Sequence, residues 1–124
     1  VVPHHYGWQL YVCDETGMPA LRRRLEALKA AGFAGQLTAI VTIKDAASKA
    51  YLAHLETFNI EWVTGGDEAA IAERLATLVV PQRDYFLWFT GEGKVVKRLS
   101  ARFETPLIEP QLLRAVAYWH AKDA

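Results

Sequence analysis

The sequence has a single cysteine, no excess of charge of either sign and no long apolar run, and each shortage excludes a class of protein. Cys13 is the only cysteine among 124 residues, which rules out an internal disulfide and a metal site built from cysteines. Lys plus Arg and Asp plus Glu both number 14, so no net charge would draw the chain to nucleic acid or to an anionic membrane. No apolar stretch approaches the roughly 20 residues of a membrane-spanning helix. The sequence therefore predicts an ordered globule with no nucleic-acid partner and no membrane span.

A length of 124 residues is enough for one hydrophobic core. We predict a lead-in over residues 1–7 and one domain over 8–124. The chain begins at Val1 without an initiator Met or a leader, which is typical of a mature or trimmed domain. His4 and His5 are adjacent in the lead-in, but neighbours on an extended chain point apart, and no further ligands follow at metal-binding spacing. The residues predict no metal site and no cofactor.

The most informative stretch is the apolar run YFLWF at 85–89, which predicts a central strand buried on both faces. Glycines follow in the segment 90–93, where we predict a turn. Residues 94–99 then mix apolar residues with three cations, a composition typical of an exposed edge strand. The two strands would form an antiparallel hairpin.

Further strands are predicted at 8–13, 37–43 and 60–63, and each is followed by a helix with apolar residues at helical spacing. A last helix is predicted from Pro110, with Leu112, Leu113, Val116 and Trp119 as its apolar stripe. The predicted order is β-α-β-α-β-α-β-β-α. This is an α/β fold with a mixed central sheet of about five strands and helices on both faces.

Three polar features allow a functional and a plain interpretation. Gly65 and Gly66 lie between a strand and a helix, as in a phosphate-binding turn, but the full motifs are absent, so a plain turn is favoured. His54 lies beside an apolar stripe, where a hydrogen-bonded surface histidine is more usual than a catalytic base. The arginines at 22–24 are best explained as a solvated helix face, with Arg22 and Glu26 as an ion pair.

Three short motifs resemble the thioredoxin-like superfamily, within it the TlpA/ResA branch of periplasmic thiol-disulfide proteins. Residues 17–21 (GMPAL) are similar to the x-M-P-x-L of that family, Val80-Pro81 to the step before its central strand, and residues 90–96 to its hairpin. The resemblance implies a thioredoxin-like fold and a periplasmic or otherwise extracytoplasmic location. The family's two active-site cysteines would fall on Tyr11 and Asp14, so its dithiol is absent.

Two functional hypotheses follow from the missing dithiol. The first, which we favour, is a redox-inactive thioredoxin-like module that binds a protein partner or an extended peptide and is not an enzyme. Its contact surface would consist of Tyr11, Asp14, Glu15, Thr16, Gly17, Met18 and Pro81.

The alternative is a thiol-disulfide oxidoreductase with Cys13 as its nucleophile, activated by the helix that follows. Adjacent negative charge and the usual burial of free cysteine oppose this alternative. A flavodoxin-like domain that binds a phosphorylated ligand is a third, more distant possibility.

Overall fold

The computed structural model describes residues 6–122. Five strands form one sheet: β1 (Trp8–Cys13), β2 (Gln36–Ile43), β3 (Asn59–Thr64), β4 (Tyr85–Glu92) and β5 (Leu113–Trp119). Their order is β3-β2-β1-β4-β5 and every pair is parallel. The predicted α/β class and the number of strands are confirmed, whereas the mixed, thioredoxin-like sheet is wrong.

Three α-helices and a 3₁₀ segment connect the strands: α1 (Met18–Ala30), α2 (Glu68–Ala76), α3 (Gly93–Ala101) and the segment Ala46–Leu55. Asp45 and Asp67 begin the 3₁₀ segment and α2, because their carboxylates accept hydrogen bonds from N–H groups of the first turn. In the described range, no helix is long and apolar enough to cross a membrane.

The predicted central strand is confirmed as β4. All eight of its residues are buried, and it pairs with β1 on one side and β5 on the other. A strand covered on both faces lacks the alternation of polar and apolar residues seen in half-exposed strands, which explains the continuous run YFLWF.

The predicted hairpin is wrong, because residues 93–101 form helix α3 rather than an edge strand. The carboxylate of Glu92 accepts hydrogen bonds from the N–H groups of Lys94 (3.0 Å) and Val95 (3.1 Å), which begins a helix. Val96 and Leu99, three residues apart, are buried on one side of this helix. The cations between them lie on its outer side.

The predicted last helix is also wrong. Pro110–Leu112 forms a single 3₁₀ turn, after which β5 pairs with β4 from Leu87–Leu113 onward. β5 is an edge strand and most of its residues are exposed. A short apolar segment fits either a helix or a strand, and here pairing with β4 decides between them.

Helices pack on both faces of the sheet. On one face, α1 and the 3₁₀ segment contribute buried leucines: Leu21, Leu25, Leu28, Leu52 and Leu55. On the other face, α2 and α3 contribute Ile71, Leu75, Val96 and Leu99. The domain therefore has a core on each side of the sheet.

Cys13 ends β1 and packs in the α1 core with 3% of its surface exposed. Burial in apolar surroundings raises the pKa of the Cys13 thiol, and the charge of Asp14 raises it further. The hypothesis that Cys13 is an activated nucleophile is wrong, since a buried thiol with a raised pKa forms little thiolate.

The β3 edge of the sheet is attached to α2 by an ion pair. Arg74 donates through Nε to Glu61 Oε1 (2.6 Å) and through Nη2 to Glu61 Oε2 (2.8 Å). These hydrogen bonds lower the pKa of Glu61 below its usual value. The two side chains are about one third exposed, so solvent weakens their attraction.

We expect Cys13 to react with iodoacetamide only as the protein unfolds. Alkylation of the native chain at neutral pH should be slower than alkylation in denaturant by orders of magnitude, because the thiolate forms only when the core opens. Mass spectrometry after timed quenching measures both rates, and the denatured sample serves as the control for complete labelling. Native labelling at the denatured rate would show that the thiol is accessible.

We expect the Glu61–Arg74 pair to contribute to stability at neutral pH and to lose that contribution in acid. A carboxyl with a lowered folded-state pKa stabilises the fold above its unfolded value of about 4.3, and this stability is lost as pH falls through the folded pKa. Glu61→Gln should therefore reduce the free energy of unfolding by about 0.5–1 kcal/mol at pH 7 and by less at pH 3. Urea unfolding at both pH values measures this, and an equal loss at both would contradict it.

Candidate functional site

A cleft of about 690 Å³ runs along the carboxyl ends of the strands. Its walls come from the residues that follow β1, β2 and β3, from the end of β4 with α3, and from the chain after β5. The residues that line the cleft include Asp14, Glu15, Thr16, Lys44, Gly65, Gly66, Glu68, Thr90, Gly91, Glu92, Trp119 and Ala121. In an open parallel sheet, ligands bind at this edge, where the strand order reverses. That reversal lies between β1 and β4.

The loop between β1 and α1 forms the middle of the cleft. A 3₁₀ turn, Glu15–Gly17, runs directly into α1; the Asp14 carboxylate caps this turn through the N–H of Thr16, and the N–H of Met18 donates to the Glu15 carbonyl. A Cβ at Gly17 would overlap the Thr90 hydroxyl and lie 2.8 Å from the Cys13 Cβ, so only glycine fits. The turn and α1 therefore begin close to the end of β4.

Thr90 carries an unsatisfied polar group at this point. Its Oγ1 is buried and has no hydrogen-bond partner within residues 6–122. An unpaired buried hydroxyl costs free energy, which makes such atoms unusual in a fold unless something else satisfies them. The next residue, Gly91, has φ of 145°, a conformation that favours glycine. The Asp14 carboxylate lies against Gly91, since a Cβ there would be 3.0 Å from Asp14 Oδ2.

Asp14 and Glu92 hold the chain after β5 beside the cleft. Trp119 donates from its indole Nε1 to Asp14 Oδ2 at 2.8 Å, and the N–H of Ala121 donates to Glu92 Oε2 at 3.1 Å. The ring of His120 packs against Gly93, where any Cβ would overlap it. The Ala121 bond is the main reason that the pKa of Glu92 is lowered, followed by the α3 N–H groups.

Glu15 and Glu68 connect the chain segments at the opposite end of the cleft, near β2 and β3. Glu15 accepts from the backbone N–H of Lys44 (2.9 Å) and from the hydroxyl of Ser48 (3.1 Å), which joins the loops after β1 and β2. Glu68 accepts two hydrogen bonds of 2.8 Å from the Arg98 guanidinium, which joins α2 to α3. Each acidic residue that lines the cleft in the described part of the chain therefore has a donor.

Gly65 and Gly66 follow β3 with φ of 83° and 64°, which a glycine adopts without strain. Nothing lies within 4 Å of the Cβ position of either residue, so the backbone faces open space. Both glycines line the cleft, a position that a plain turn before α2 would not need. The phosphate-binding interpretation of these glycines is thus compatible with their position.

The residues predicted as a contact surface do not form one site. Tyr11 and Met18 are buried in the α1 core, where the Tyr11 hydroxyl donates to Gln9. Burial raises the pKa of Tyr11 to about 12. Pro81 is exposed in the segment before β4, at the amino edge of the sheet, while Thr16 lies at the carboxyl edge.

Of the predicted residues, Asp14, Glu15 and Thr16 line the cleft, and Gly17 lies directly behind Thr90. The prediction missed Lys44, Glu68, Thr90, Glu92 and Trp119. A parallel sheet would have indicated several of them, because Lys44 and Thr90 stand at the ends of buried strands. The predicted hairpin instead placed Thr90 in a turn between two antiparallel strands.

His54 is a surface residue, as predicted, and its Nε2 lies 2.7 Å from Glu26 Oε2. Between residues 6 and 122, no three His, Cys, Asp or Glu side chains are grouped as they would be to hold a metal ion. His4 and His5 lie outside the described residues.

The sequence is similar to a reductase of known activity. It is 58% identical over 122 residues to the NADPH-dependent ferric-chelate reductase of Escherichia coli (strain K12), which covers 98% of this chain and 48% of that protein. The chain therefore spans about half the length of this curated relative. A redox-inactive binding module and a thiol-disulfide enzyme are both wrong as predictions of function.

Solved structures share the fold. The siderophore-interacting protein SipS from Aeromonas hydrophila has a TM-score of 0.75 at 22% identity, covering 95% of this chain and 48% of SipS. A siderophore utilization protein from T. fusca has a TM-score of 0.73 at 23% identity, covering 96% and 47%. A flavohemoglobin from Malassezia yamatoensis, with bound FAD and heme, has a TM-score of 0.68 at 12% identity, covering 91% and 32%. At these identities the likeness shows the fold alone.

The thioredoxin-like resemblance is wrong, because its motifs lie in a different architecture. The residues GMPAL begin α1 beside the cleft, and the supposed hairpin is the junction of β4 and α3. The extracytoplasmic location and the protein or peptide partner stay predictions, now without that resemblance to support them. The sequence profile of the siderophore-interacting proteins matches residues 6–122, nearly the whole length, so the chain belongs to the siderophore-interacting protein family.

Proposed function

We propose that this chain is the NADPH-binding part of a reductase that acts on ferric chelates. The identity of 58% to an NADPH-dependent ferric-chelate reductase carries the proposal. Because the chain spans about half of that relative, reduction of the ferric chelate is proposed for the whole protein. Dinucleotide binding is proposed for the cleft at the carboxyl ends of the strands.

The cleft supports this proposal by its position and by its unsatisfied groups. It crosses the point where the strand order reverses, which is the usual place of a dinucleotide on an open parallel sheet. The loop at residues 14–16, just before α1, lines the cleft, and the N-terminal ends of helices are common binding places for phosphate groups. The unpaired hydroxyl of Thr90 fits a site where a ligand supplies the missing hydrogen bond.

The proposed reaction joins a donor of two electrons to an acceptor of one electron. NADPH gives up a hydride, which carries two electrons, whereas each ferric ion accepts one, so one NADPH reduces two ferric ions. A flavin accepts a hydride and releases electrons singly, and it would connect the two half-reactions. In this scheme the described residues hold and orient NADPH, and the buried thiol of Cys13 takes no part.

Calorimetric titration of the chain with NADPH tests the binding proposal, and we expect one site. Ferrous iron formed from a ferric chelate, measured with a ferrous-specific dye, tests the activity of the complete protein. We expect two ferrous ions for each NADPH oxidised. A chain that binds no NADPH, although it is folded, would contradict the proposal.

We expect Thr90→Val to weaken NADPH binding without lowering stability. Valine keeps the shape of threonine and removes a hydroxyl that has no partner within the described range, so the unfolding temperature should stay the same or rise. Affinity should fall about five- to tenfold if the ligand bonds to this hydroxyl. Calorimetry and thermal unfolding measure the two effects.

Thr38→Val is the matched control, because Thr38 lies near the amino end of β2 and outside the cleft. Its hydroxyl accepts only a long bond of 3.5 Å from Asn59. NADPH affinity should be unchanged in this variant. Unchanged affinity in the Thr90 variant as well would remove Thr90 from the binding site.

A further inference from the structure

We propose that Lys44 distinguishes NADPH from NADH by binding the 2′-phosphate of the adenosine half. This inference rests on the proposed function, since it assigns an orientation to a dinucleotide in the cleft. The two dinucleotides differ only in this phosphate. A residue that selects between them must therefore bind the phosphate, or must avoid repelling it.

Lys44 is the single cation among the described residues that line the cleft. It follows directly after β2, and its side chain has no ion-pair partner within residues 6–122. Its backbone is fixed, because the N–H of Lys44 donates to Glu15 Oε1 at 2.9 Å. The backbone of Lys44 is thus fixed at the edge of the cleft, and its exposed side chain is available to an anion.

The carboxylates around Lys44 have other partners. Asp45 accepts from the N–H of Ala47, and Asp67 accepts from the N–H of Ala70. Both oxygens of Glu68 accept from Arg98. In sites that select NADH, a carboxylate accepts a hydrogen bond from the ribose 2′-hydroxyl and repels a phosphate there. Glu15 and Glu68 are the acidic residues of this end that line the cleft. Glu15 accepts from the N–H of Lys44 and from the hydroxyl of Ser48, and the pairing of Glu68 with Arg98 reduces that repulsion.

The two ends of the cleft differ in charge. At the β2 end the lining includes Lys44 together with Glu15 and Glu68, and Glu68 is paired with Arg98. At the β4 end the lining includes Asp14 and Glu92 and, among the described residues, no cation. The adenosine half of NADPH carries the additional phosphate, and the nicotinamide ring becomes positively charged on oxidation. Electrostatic complementarity therefore directs the adenosine toward Lys44 and the nicotinamide toward Thr90.

Space for the phosphate lies next to Lys44. Gly65 and Gly66 line the same end of the cleft, and the Cβ position of each faces empty space. Without side chains there, an anionic group can approach the turn and the ammonium group together. At the β4 end, Trp119 and Ala121 donate hydrogen bonds to Asp14 and Glu92.

The test is calorimetric titration of the chain and of its Lys44→Met variant with NADPH and with NADH. Methionine keeps the apolar stem and removes the charge. We expect the variant to bind NADPH about tenfold more weakly and to bind NADH unchanged. Increasing ionic strength should reduce the preference of the unmodified chain for NADPH, since an exposed ion pair is screened by salt.

Lys49→Met is the matched control, because it makes the same change of charge in the adjacent 3₁₀ segment, outside the cleft lining. It should retain the preference for NADPH, and thermal unfolding should show that both variants are folded. If the unmodified chain binds both dinucleotides and Lys44→Met leaves their affinity ratio unchanged, the inference about Lys44 is overturned while dinucleotide binding stands. If the folded chain binds neither, the proposed function itself fails.

Discussion

The pairing of β4 beside β1 is the constraint on which the rest of the structure depends. The first three strands extend the sheet in one direction, and β4 then crosses to the free side of β1. This crossing places the end of β4 against the loop before α1, where Gly17 and Thr90 are in contact. The cleft exists because the helices on either side of this point leave in opposite directions.

The same pairing explains the burial of aromatic residues. Trp88 pairs with Tyr11 in the register of β4 and β1, and their rings meet edge to face with centroids 5.6 Å apart. Arg24 lies over Trp88, 5.3 Å from its ring centre, and over Phe86 at 5.7 Å. A cation on aromatic faces stabilises the packing of α1 on this side of the sheet.

The sequence predicted the elements whose identity is determined locally. The strands at 8–13 and 85–89 have the apolar composition of buried strands, and Asp45 and Asp67 are side-chain caps. The surface pairing of Arg22 with Glu26 was also predictable from their spacing. These features depend on residues near one another in the chain.

The sequence misled in two ways. Residues 94–99 have apolar positions compatible with either a strand or a helix, and the local cap by the Glu92 carboxylate, which selects the helix, was overlooked. Elsewhere distant contacts decide the structure. Residues 113–119 form a strand because they pair with the free edge of β4. Arg24 was expected on a solvated face, but the aromatic rings below it belong to a strand more than 60 positions away. The cleft combines residues from all of these segments, so it could not be recognised before the strand order was known.

Charge also had a different meaning in the structure than in the sequence. In the sequence, the acidic residues after β1 opposed a thiolate at Cys13, and the zero net charge gave no attraction to nucleic acid or to an anionic membrane. In the fold, Asp14, Glu15, Glu68 and Glu92 each accept hydrogen bonds from other segments, so they connect the walls of the cleft. Their negative charge is partly compensated by these donors. The cation of Lys44, which has no ion-pair partner within residues 6–122, remains to interact with a ligand. A count of charges cannot distinguish these two groups, whereas their hydrogen bonds do.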